Sequence, residues 1–285
     1  MQIITLTTDM GLKDHYVASL KGRLLQMIPN VHIVDITHLI KPFNSAEAAY
    51  TLRSCIADFP EGTIHIIGVD TEPILNFGNA EGAFPSLMQF KGQYFIGNDN
   101  GFFGAFLGDD RPDKFYRIED VLSNPKDMKS PTKNIYLGIA QKIVEGQDFN
   151  LFATEQSTYK KFFLPAALFD ENLIKGTIIH IDAYGNLITN VTKDMFDGVG
   201  KGANFEIHYR NKEYNISKIS MLYNEVAAGD RVALFNANHH LEIAINRGAN
   251  EGLGGANKMF GVKVGDSLQI RFFPRGSHDT LESLF

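Results

Sequence analysis

Short β-branched runs and helical patterns alternate along the first seventy residues of the chain. Tyr16, Leu20 and Leu24 recur at helical spacing after the first run, and Pro29 ends this pattern. A chain that alternates in this way folds into a largely parallel sheet with helices on its faces. The pattern therefore predicts a three-layer, Rossmann-like α/β domain with a mostly parallel sheet, with strands at 3–8, 32–37 and 63–69 and a second helix from about 45 to 58.

Two further runs, 86–90 and 93–96, predict a β-hairpin, and the last helix of this half is predicted at 134–144. From 145 to about 175 the periodicity weakens, which indicates a connection between domains. Beyond it, strand-like runs alternate with Gly, Asn and Asp, which is typical of an all-β, barrel-like domain: 177–181, 205–209, 213–216, 232–235, 241–245 and 267–272. We therefore expect an α/β domain at 1–155, then a linker and a β-barrel-like domain at 156–285.

The chain is mildly acidic, with a formal net charge of −6 over 285 residues. A nucleic-acid partner is not expected, because such proteins need a basic face to neutralise phosphates. A membrane partner is not expected either, because no apolar run reaches the roughly 18–20 residues that a spanning helix requires. The single cysteine, Cys55, excludes an intrachain disulfide framework. Because Met1 leads directly into a predicted strand without a secretion signal, we expect a cytoplasmic location.

Polar residues gather where the predicted strands of the first half end. Asp9 ends the first strand, with Asp14 and Tyr16 just beyond it, Asp35 lies near the end of the second strand, and Asp70 ends the third. In open α/β sheets, ligands bind outside the carboxyl ends of the strands, where loops converge. These side chains are therefore the first candidates for a binding site.

Several carboxylates at one edge repel one another unless a cation or a hydrogen-bonding ligand joins them. Asp14 is alternatively a helix N-cap, Asp35 alternatively ties down a loop, and this structural explanation is weaker for Asp9 and Asp70. Histidines spaced for zinc are missing, as are the glycine motifs of dinucleotide and phosphate loops. An acidic edge repels phosphates and suits ribose hydroxyls or a cationic ligand, and S-adenosylmethionine offers both.

Two polar stretches stand out in the second half. The first, 181–190, places Asp182 and Asn186 on a glycine-containing turn between strands. Taken alone, this stretch favours a tight turn held by Asx hydrogen bonds. The second, 241–250, is a strand that ends in a loop whose backbone groups are able to pair with the edge of a base.

Ten short segments carry a family resemblance over nearly the full chain: Thr7-Thr8-Asp9-Met10-Gly11, Asp14-His15-Tyr16-Val17, Lys21-Gly22, Asp35-Ile36-Thr37-His38, Phe59-Pro60-Glu61-Gly62-Thr63-Ile64-His65, Val69-Asp70, Asn98-Asp99-Asn100-Gly101, 182–190, 242–249 and Gly261-Val262-Lys263-Val264-Gly265-Asp266. No single segment is decisive, but their order and spacing are specific. In these segments the chain resembles the S-adenosylmethionine hydrolases, or hydroxide adenosyltransferases, which are related to the fluorinating and chlorinating enzymes.

The resemblance implies an in-line displacement at the ribose C5′ carbon of S-adenosylmethionine, which gives adenosine and L-methionine. Sulfonium is already a good leaving group, so no metal or organic cofactor is expected. The resemblance further implies that Asp9 holds the ribose hydroxyls and that Phe43 packs against the sugar or base. Asp14 and Tyr16 would then lie near the methionine portion, and Asp70 would be the catalytic acid–base residue.

In the second half, the resemblance implies that Asp182 and Asn186 grip the amino-acid end of the substrate, with Asp182 as counter-charge for the ammonium. It places Arg247 and Ala249 at the adenine edge and His240 where the family has a stacking aromatic ring. It also implies a homotrimer in which the domains enclose the ligand at subunit contacts.

Two departures from the family pattern fall at the reacting centre. After Asp70 the family shows Pro-Gly-Val-Gly and then an arginine, whereas this chain continues Thr71-Glu72-Pro73 without an arginine at the matching place. Before the last helix of the first half, the family has a histidine in a Phe-His-Gly-Arg-Asp-like segment, which here reads 130–134 without histidine. Lys133 is able to supply a nearby positive charge, but a lysine does not replace the geometry of an arginine.

These departures leave four functions open. Hydrolysis comes first, followed by a halogenase-like displacement, because a halide needs no base. A non-catalytic binder of S-adenosylmethionine or adenosine is the alternative from another class. A metal-dependent phosphohydrolase is disfavoured because the required histidines are missing.

Overall fold

The computed structural model describes residues 2–73, 82–119, 127–162, 165–248 and 254–273. The chain divides into two compact units, Met1–Leu164 and Pro165–Phe285, each with its own hydrophobic core. In the described ranges, no helix combines the length and the apolar composition that crossing a membrane requires.

The first unit is built on a seven-stranded sheet with the order β2-β1-β3-β5-β4-β6-β7. Register aligns the carboxyl ends of the first three strands, because Thr7 pairs with Thr37 and Thr8 pairs with Gly68. The strands are β1 (Gln2–Thr8), β2 (Val31–Thr37), β3 (Ile64–Gly68), β4 (Pro85–Phe90), β5 (Gln93–Asn98), β6 (Lys114–Ile118) and β7 (Ala153–Glu155).

This sheet is mixed, so the prediction of a mostly parallel sheet is correct only for part of it. Strands β2, β1, β3 and β5 run parallel to one another, as the alternating pattern predicts. The pairings β5–β4, β4–β6 and β6–β7 are antiparallel. The physical reason is that the tight turn at Lys91-Gly92 reverses the chain directly, whereas a parallel connection needs a crossover of a dozen or more residues.

Helices cover both faces of the sheet, which confirms the three layers. On one face, α1 (Tyr16–Met27), a π-helical turn (Thr132–Tyr136) and α4 (Leu137–Val144) pack against the inward side chains of β1 and β3. On the other face lie α2 (Ser45–Arg53) and α3 (Phe102–Leu107). The helix predicted to reach residue 58 ends earlier, and a short 3-10 turn (Ile56–Asp58) follows it.

The second unit is an antiparallel sheet with the order β11-β14-β9-β10-β13-β12, and β8 pairs with the first half of β9. Two short helices accompany it, α5 (Lys193–Gly200) and α6 (Ala256–Phe260). The strands are β8 (Leu168–Asp170), β9 (Leu173–Ile181), β10 (Leu187–Thr192), β11 (Asn204–His208), β12 (Arg231–Phe235), β13 (His240–Ile245) and β14 (Ser267–Phe273).

A short segment shows that this second sheet is curled. Ile216 bridges to Ile207 on one edge strand, and Ile219 bridges to Ala233 on the other. If the sheet were flat, its edges would lie about 24 Å apart, whereas two bridge spacings of about 4.8 Å and three residues of about 3.3 Å each span at most about 20 Å. The predicted barrel-like domain is therefore an open, curled sheet whose gap is partly bridged.

Two predictions in the second unit are wrong in detail. The strand predicted at 213–216 is a 3-10 turn (Lys212–Tyr214) followed by the bridge at Ile216. Helix α5 was not predicted, yet it has a regular N-cap, because the Thr192 hydroxyl accepts a hydrogen bond from the backbone N–H of Met195.

Candidate functional site

The carboxyl ends of β1 and β2 are joined by a carboxylate. Asp9 directly follows β1, and its Oδ2 accepts a hydrogen bond from the backbone N–H of Phe43 at 2.9 Å. Phe43 has a positive φ of 64° and a side chain that is 75% exposed. Asp9 therefore fixes a strained loop that presents an aromatic ring to solvent, and the structure brings together these two predicted site residues.

Asp70 lies at the same edge, just after β3, in an unusual backbone conformation. Its φ of 48° is in the left-handed region that residues other than glycine rarely adopt. The side-chain amide of Asn98 donates to the Asp70 carbonyl at 3.2 Å, and that of Asn100 donates to the same carbonyl at 2.9 Å. Asn100 also donates to Asp70 Oδ2 at 3.3 Å. Asn98, the last residue of β5, and Asn100, two residues further, thus hold the strained aspartate in place.

The surroundings of Asp70 favour its protonated form. Burial raises the pKa of the Asp70 carboxyl, and the negative charges of Asp9 and Glu72 raise it further. The hydrogen bond from Asn100 and the positive charge of Lys160 act in the opposite direction and only partly compensate. A carboxylate with a raised pKa is a better proton acceptor than an exposed one, so Asp70 is chemically suited to general-base work.

Asp14 and Tyr16 lie at the start of α1 and are exposed. The residue that caps α1 is His15, whose ring stacks on Tyr16 with 4.6 Å between ring centroids. The alternative role of Asp14 as the N-cap is therefore wrong. Within the described part of the chain, neither Asp14 nor Tyr16 is hydrogen-bonded to Asp9 or Asp70, so their contact with a ligand stays a prediction.

Asp35 is exposed and begins a polar chain that leads through the buried His38 to Thr8, the residue before Asp9. Its carboxylate lies 2.5 Å from Lys21 Nζ and 3.1 Å from His38 Nε2, and His38 Nδ1 lies 2.8 Å from the Thr8 hydroxyl. Although partial burial raises the pKa of Asp35, the hydrogen bonds from Lys21 and His38 outweigh it and lower the pKa. Asp35 thus ties the β2 loop to β1 and α1, which is the structural role considered from its position.

His65 and Lys133 are two further titratable residues of the first unit. His65 is completely buried in the sheet, with Nδ1 2.7 Å from the Thr5 hydroxyl and Nε2 3.0 Å from Gln93 Oε1. Lys133 donates to the Ser19 hydroxyl at 2.7 Å in a surface cleft of about 520 Å³ along α1. Among the described contacts, none links either side chain to Asp70.

In the second unit, Asp182 forms the Asx turn that the sequence favours. Its Oδ1 accepts from the backbone N–H groups of Tyr184 at 2.9 Å and Asn186 at 2.8 Å, and its Oδ2 accepts from Asn186 Nδ2 at 3.1 Å. Gly185, with φ of 80°, allows the chain to close this turn between β9 and β10. The turn orients both predicted residues towards the same cavity.

That cavity has a volume of about 390 Å³ and contains three of the predicted site residues. Arg247 follows β13 in a left-handed conformation with φ of 55°. The cavity therefore combines a carboxylate, an amide, a guanidinium and aromatic rings within one unit. Its lining residues are Asp182, Tyr184, Asn186, Tyr223, Ile245, Arg247 and Gly248.

Two residues that shape this site, Glu242 and Tyr223, were not predicted from the sequence. Glu242 on β13 is 4% exposed and accepts a hydrogen bond from the Tyr223 hydroxyl at 2.7 Å. Burial raises the pKa of the Glu242 carboxyl, and the negative charge of Asp182 raises it further. An acidic residue between Leu241 and Ile243 was the available signal, since a carboxylate on an otherwise apolar strand needs a partner.

The structure does not bring His240 to the cavity. Its Nδ1 lies 2.9 Å from the carbonyl of Thr189, and it pairs with Thr192 at the first residue of β13. Arg247 follows the other end of that strand, about 17 Å away along five residues. Ala249 lies outside the described residues, as does the segment 74–77 where the family arginine is missing.

Residues able to hold a metal do not cluster in the described ranges, where no group of three or more His, Cys, Asp or Glu side chains has suitable geometry. The groups available to a ligand are instead the Asp9, Phe43 and Asp70 loops of the first unit and the cavity lined by Asp182, Asn186 and Arg247 in the second.

Comparison with family models covers most of the chain. Residues 4–153 match the model of the SAM hydroxide adenosyltransferase N-terminal domain, and residues 176–269 match that of the C-terminal domain. The two matches follow the same order as the two compact units.

Similar proteins and structures agree with these matches. The (R)-S-adenosyl-L-methionine hydrolase of Methanocaldococcus jannaschii is 29% identical over 203 residues, which cover 68% of each chain. That of Thermus thermophilus is 26% identical over 95% of this chain and 100% of its own. A fluorinase from Actinopolyspora mzabensis is 24% identical over 86% of this chain and 90% of its own. The crystal structure of an uncharacterized conserved protein from Thermotoga maritima superposes with a TM-score of 0.79 and 25% identity over 95% of this chain and 100% of its own.

Proposed function

The chain belongs to the SAM hydroxide adenosyltransferase family, and from this premise we propose that it hydrolyses S-adenosylmethionine to adenosine and L-methionine. The observation that carries the proposal is that both halves match one family in order, together with hydrolase relatives aligned over nearly the full chain. The polar groups at the sheet edge and in the second cavity support it, because they suit a nucleoside that carries positive charge.

The proposed reaction is an in-line displacement at the ribose C5′ carbon. A water oxygen forms a bond to C5′ while the C5′–S bond breaks, and the bonding electron pair leaves with the sulfur of methionine. The water proton passes to Asp70 and then to solvent. The protein contributes positioning, exclusion of bulk water and a proton acceptor, so no cofactor is part of the proposal.

All the predicted site residues except His240 have a role in this proposal. Asp9 accepts hydrogen bonds from the ribose hydroxyls, and the exposed ring of Phe43 packs on the nucleoside. Asp182 is the counter-charge of the substrate ammonium, and its hydrogen bonds to Asn186 support the orientation of both groups. The remaining proposed substrate contacts are Asp14, Tyr16, Arg247 and Ala249, and His240 is not among them because it lies at the other end of β13 from Arg247.

Asp70 is the residue of the family's Asp-Arg-His set that this chain retains. Its raised pKa supports a role as proton acceptor. We expect Asp70→Asn to lower kcat by about 100-fold or more, since a positioned base contributes about 10²–10⁴-fold. The Kd for S-adenosylmethionine should change by less than threefold in calorimetric titration. Equal losses in kcat and in affinity would mean that Asp70 binds substrate and does not act as the base.

The direct test is incubation with S-adenosylmethionine followed by chromatography of the products. The wild-type protein should form adenosine and methionine in equal amounts, and Asp70→Asn should form them much more slowly. Unchanged S-adenosylmethionine that is nevertheless bound in calorimetry would refute hydrolysis and support the non-catalytic binder.

A halide nucleophile is the second candidate function, and the aligned fluorinases favour it. The family arginine and histidine are not required for attack by a halide, which has no proton to lose. Repeating the incubation in chloride or fluoride distinguishes the two, because a halogenase forms 5′-halo-5′-deoxyadenosine in place of adenosine.

We also propose a homotrimer, on the ground of family membership. The exposed apolar side chains of Met221 (89%) and Leu222 (61%) in the second unit are compatible with a subunit contact. Light scattering coupled to size-exclusion chromatography should give three times the 31.8 kDa chain mass. A monomer mass at micromolar concentration would refute the trimer.

A further inference from the structure

Three buried polar atoms on one face of the first sheet have no hydrogen-bond partner among the described residues. They are Asn98 Oδ1, Thr132 Oγ1 and the Tyr136 hydroxyl, and their side chains belong to residues that are 2%, 1% and 0% exposed. Buried polar groups are nearly always hydrogen-bonded, so each unpaired group requires an explanation.

All three atoms adjoin the short segment 68–70. A Cβ atom placed on Gly68 would lie 3.1 Å from Thr132 Oγ1. Asn98 uses its amide nitrogen to bind the carbonyls of Asp70 and Glu72, which fixes its amide oxygen on the other side. Tyr136 is close enough to Asp70 for the carboxylate charge to raise the pKa of its hydroxyl, beyond the larger effect of burial.

The backbone at this point is also irregular. Thr132 and Tyr136 are the two ends of the π-helical turn that precedes α4. Such turns are rare and are frequent at functional sites. Two hydroxyls are thereby directed into the apolar face of the sheet behind Asp70.

We propose that Asn98, Thr132 and Tyr136 bind one buried water molecule behind Asp70, and that Tyr136 is a positioning residue for the displacement reaction. This inference rests on the proposed function. The water accepts hydrogen bonds from the hydroxyls of Tyr136 and Thr132 and donates to Asn98 Oδ1 and to the Asp70 carboxylate. Four polar partners satisfy the water and all three unpaired atoms, and buried waters typically make about three such bonds.

This water offsets part of the repulsion that Asp70 experiences. Asp9 and Glu72 disfavour the charged form of Asp70, while Asn100 and Lys160 favour it. A water that donates to the Asp70 carboxylate favours its charged form, as Asn100 and Lys160 do. It also orients the acceptor oxygen towards the nucleophile. Tyr136 acts through the water, because its hydroxyl holds the oxygen whose hydrogen reaches Asp70.

The test is Tyr136→Phe, which keeps the ring and removes only the hydroxyl. We expect kcat to fall about tenfold, because the acceptor oxygen of Asp70 is no longer oriented towards the nucleophile, with KM changed less than twofold. The acid limb of the kcat–pH profile should move to higher pH, because the carboxylate loses a hydrogen bond that stabilised its charged form. Thr132→Val, which is similar in shape, should shift the same limb in the same direction.

The matched control is Tyr209→Phe. Tyr209 is a second buried tyrosine whose hydroxyl has no partner among the described residues, and it lies in the core of the second unit. This variant should retain the wild-type kcat and pH profile. A high-resolution crystal structure of the wild type should show water density within 3.2 Å of Asn98 Oδ1 and of the two hydroxyls.

The outcomes separate this inference from the proposed function. If the wild type forms no adenosine, the proposed function fails and the role of Tyr136 in catalysis fails with it. If the wild type is active but the kcat–pH profile of Tyr136→Phe does not shift, only the water-mediated role is refuted. The same holds if the crystal structure shows no water density at the proposed position. A tenfold loss in Tyr209→Phe would show that removing any buried hydroxyl slows the enzyme, which also refutes it.

Discussion

Asp182 offers the sharpest test, because the structure gives it a structural role and the family suggests a binding role. Its carboxylate accepts three hydrogen bonds, from Tyr184 N, Asn186 N and Asn186 Nδ2. Asp182→Ala removes all three. Tyr184 is 68% exposed, so a water molecule is able to accept from its backbone N–H at little cost. Asn186 is only 7% exposed, so the hydrogen bonds that its backbone N–H and Nδ2 donate to Asp182 are lost without replacement.

The expected loss follows from these two donors. A hydrogen bond to a charged acceptor contributes about 1.5–3 kcal/mol, and partial access of water reduces this value, so Asp182→Ala should lower the free energy of unfolding by about 2–3 kcal/mol. With a slope of about 2–3 kcal/mol per molar, the midpoint of urea denaturation should fall by about 1 M, measured by circular dichroism.

Asp182→Asn separates the two roles. The amide oxygen still accepts from both backbone N–H groups, so the free energy of unfolding should change by less than about 1 kcal/mol. The negative charge is lost, however, and affinity for S-adenosylmethionine should fall about 10- to 100-fold in calorimetry, which is the contribution of one charge-assisted hydrogen bond.

The matched control is Asp170→Ala. Asp170 also ends a strand of the second unit, but its Oδ1 accepts only from the exposed Glu171 N–H at 2.8 Å, so we expect a change within about 0.5 kcal/mol. If Asp182→Ala is as stable as Asp170→Ala, the hydrogen bonds that Asp182 accepts do not stabilise the folded state, and the structural role is refuted. Wild-type affinity in Asp182→Asn would refute the counter-charge role.

Two further predictions concern the first unit. Asp9→Ala should weaken S-adenosylmethionine binding about 10-fold or more in calorimetry. Backbone amides near Phe43 should also exchange hydrogen faster, because the Asp9 carboxylate holds that loop. Wild-type affinity together with wild-type exchange rates would contradict this prediction. Burial lowers the pKa of His65 to about 4, so on acidification the unfolded state binds a proton at a higher pH than the folded state does. The free energy of unfolding should therefore fall by about 3 kcal/mol as the pH drops from above 6.5 to 4. Urea denaturation across this range should show a steeper loss for the wild type than for His65→Gln, and parallel curves would contradict the assignment.

The fold was predictable where one element follows a regular pattern. Strands β1, β3 and β13 begin and end within about one residue of their predicted limits, because β-branched and apolar residues bounded by polar turns admit few alternatives. Helix α3 was missed because its six residues, Phe-Phe-Gly-Ala-Phe-Leu, are nearly all buried and show no amphipathic period. Strand direction beyond the hairpin depends on distant pairing, which no local pattern encodes.

The candidate site was predictable where polar residues end a strand. Asp9 and Asp70 lie close enough for the charge of Asp9 to act on Asp70, because the sheet register aligns the ends of β1 and β3, and that alignment follows from a parallel sheet. Tyr223 was not predictable, since it reaches Glu242 from a loop nineteen residues away. Tyr136 also escaped notice, because an aromatic residue at helical spacing is indistinguishable from a core residue until its hydroxyl is seen to be unpaired.

The interactions that raise the pKa of Asp70 destabilise its charged form in the folded protein, and they also affect the proposed reaction. A carboxylate that merely attracted the sulfonium would stabilise the substrate more than the transition state, in which the positive charge disappears, and would slow the reaction. A carboxylate that accepts the water proton loses its own charge at the same stage. Burial, Asp9 and Glu72 destabilise the charged form of Asp70 in the free protein. The same interactions therefore favour the step in which both charges vanish together, so a feature that weakens the folded state assists the displacement.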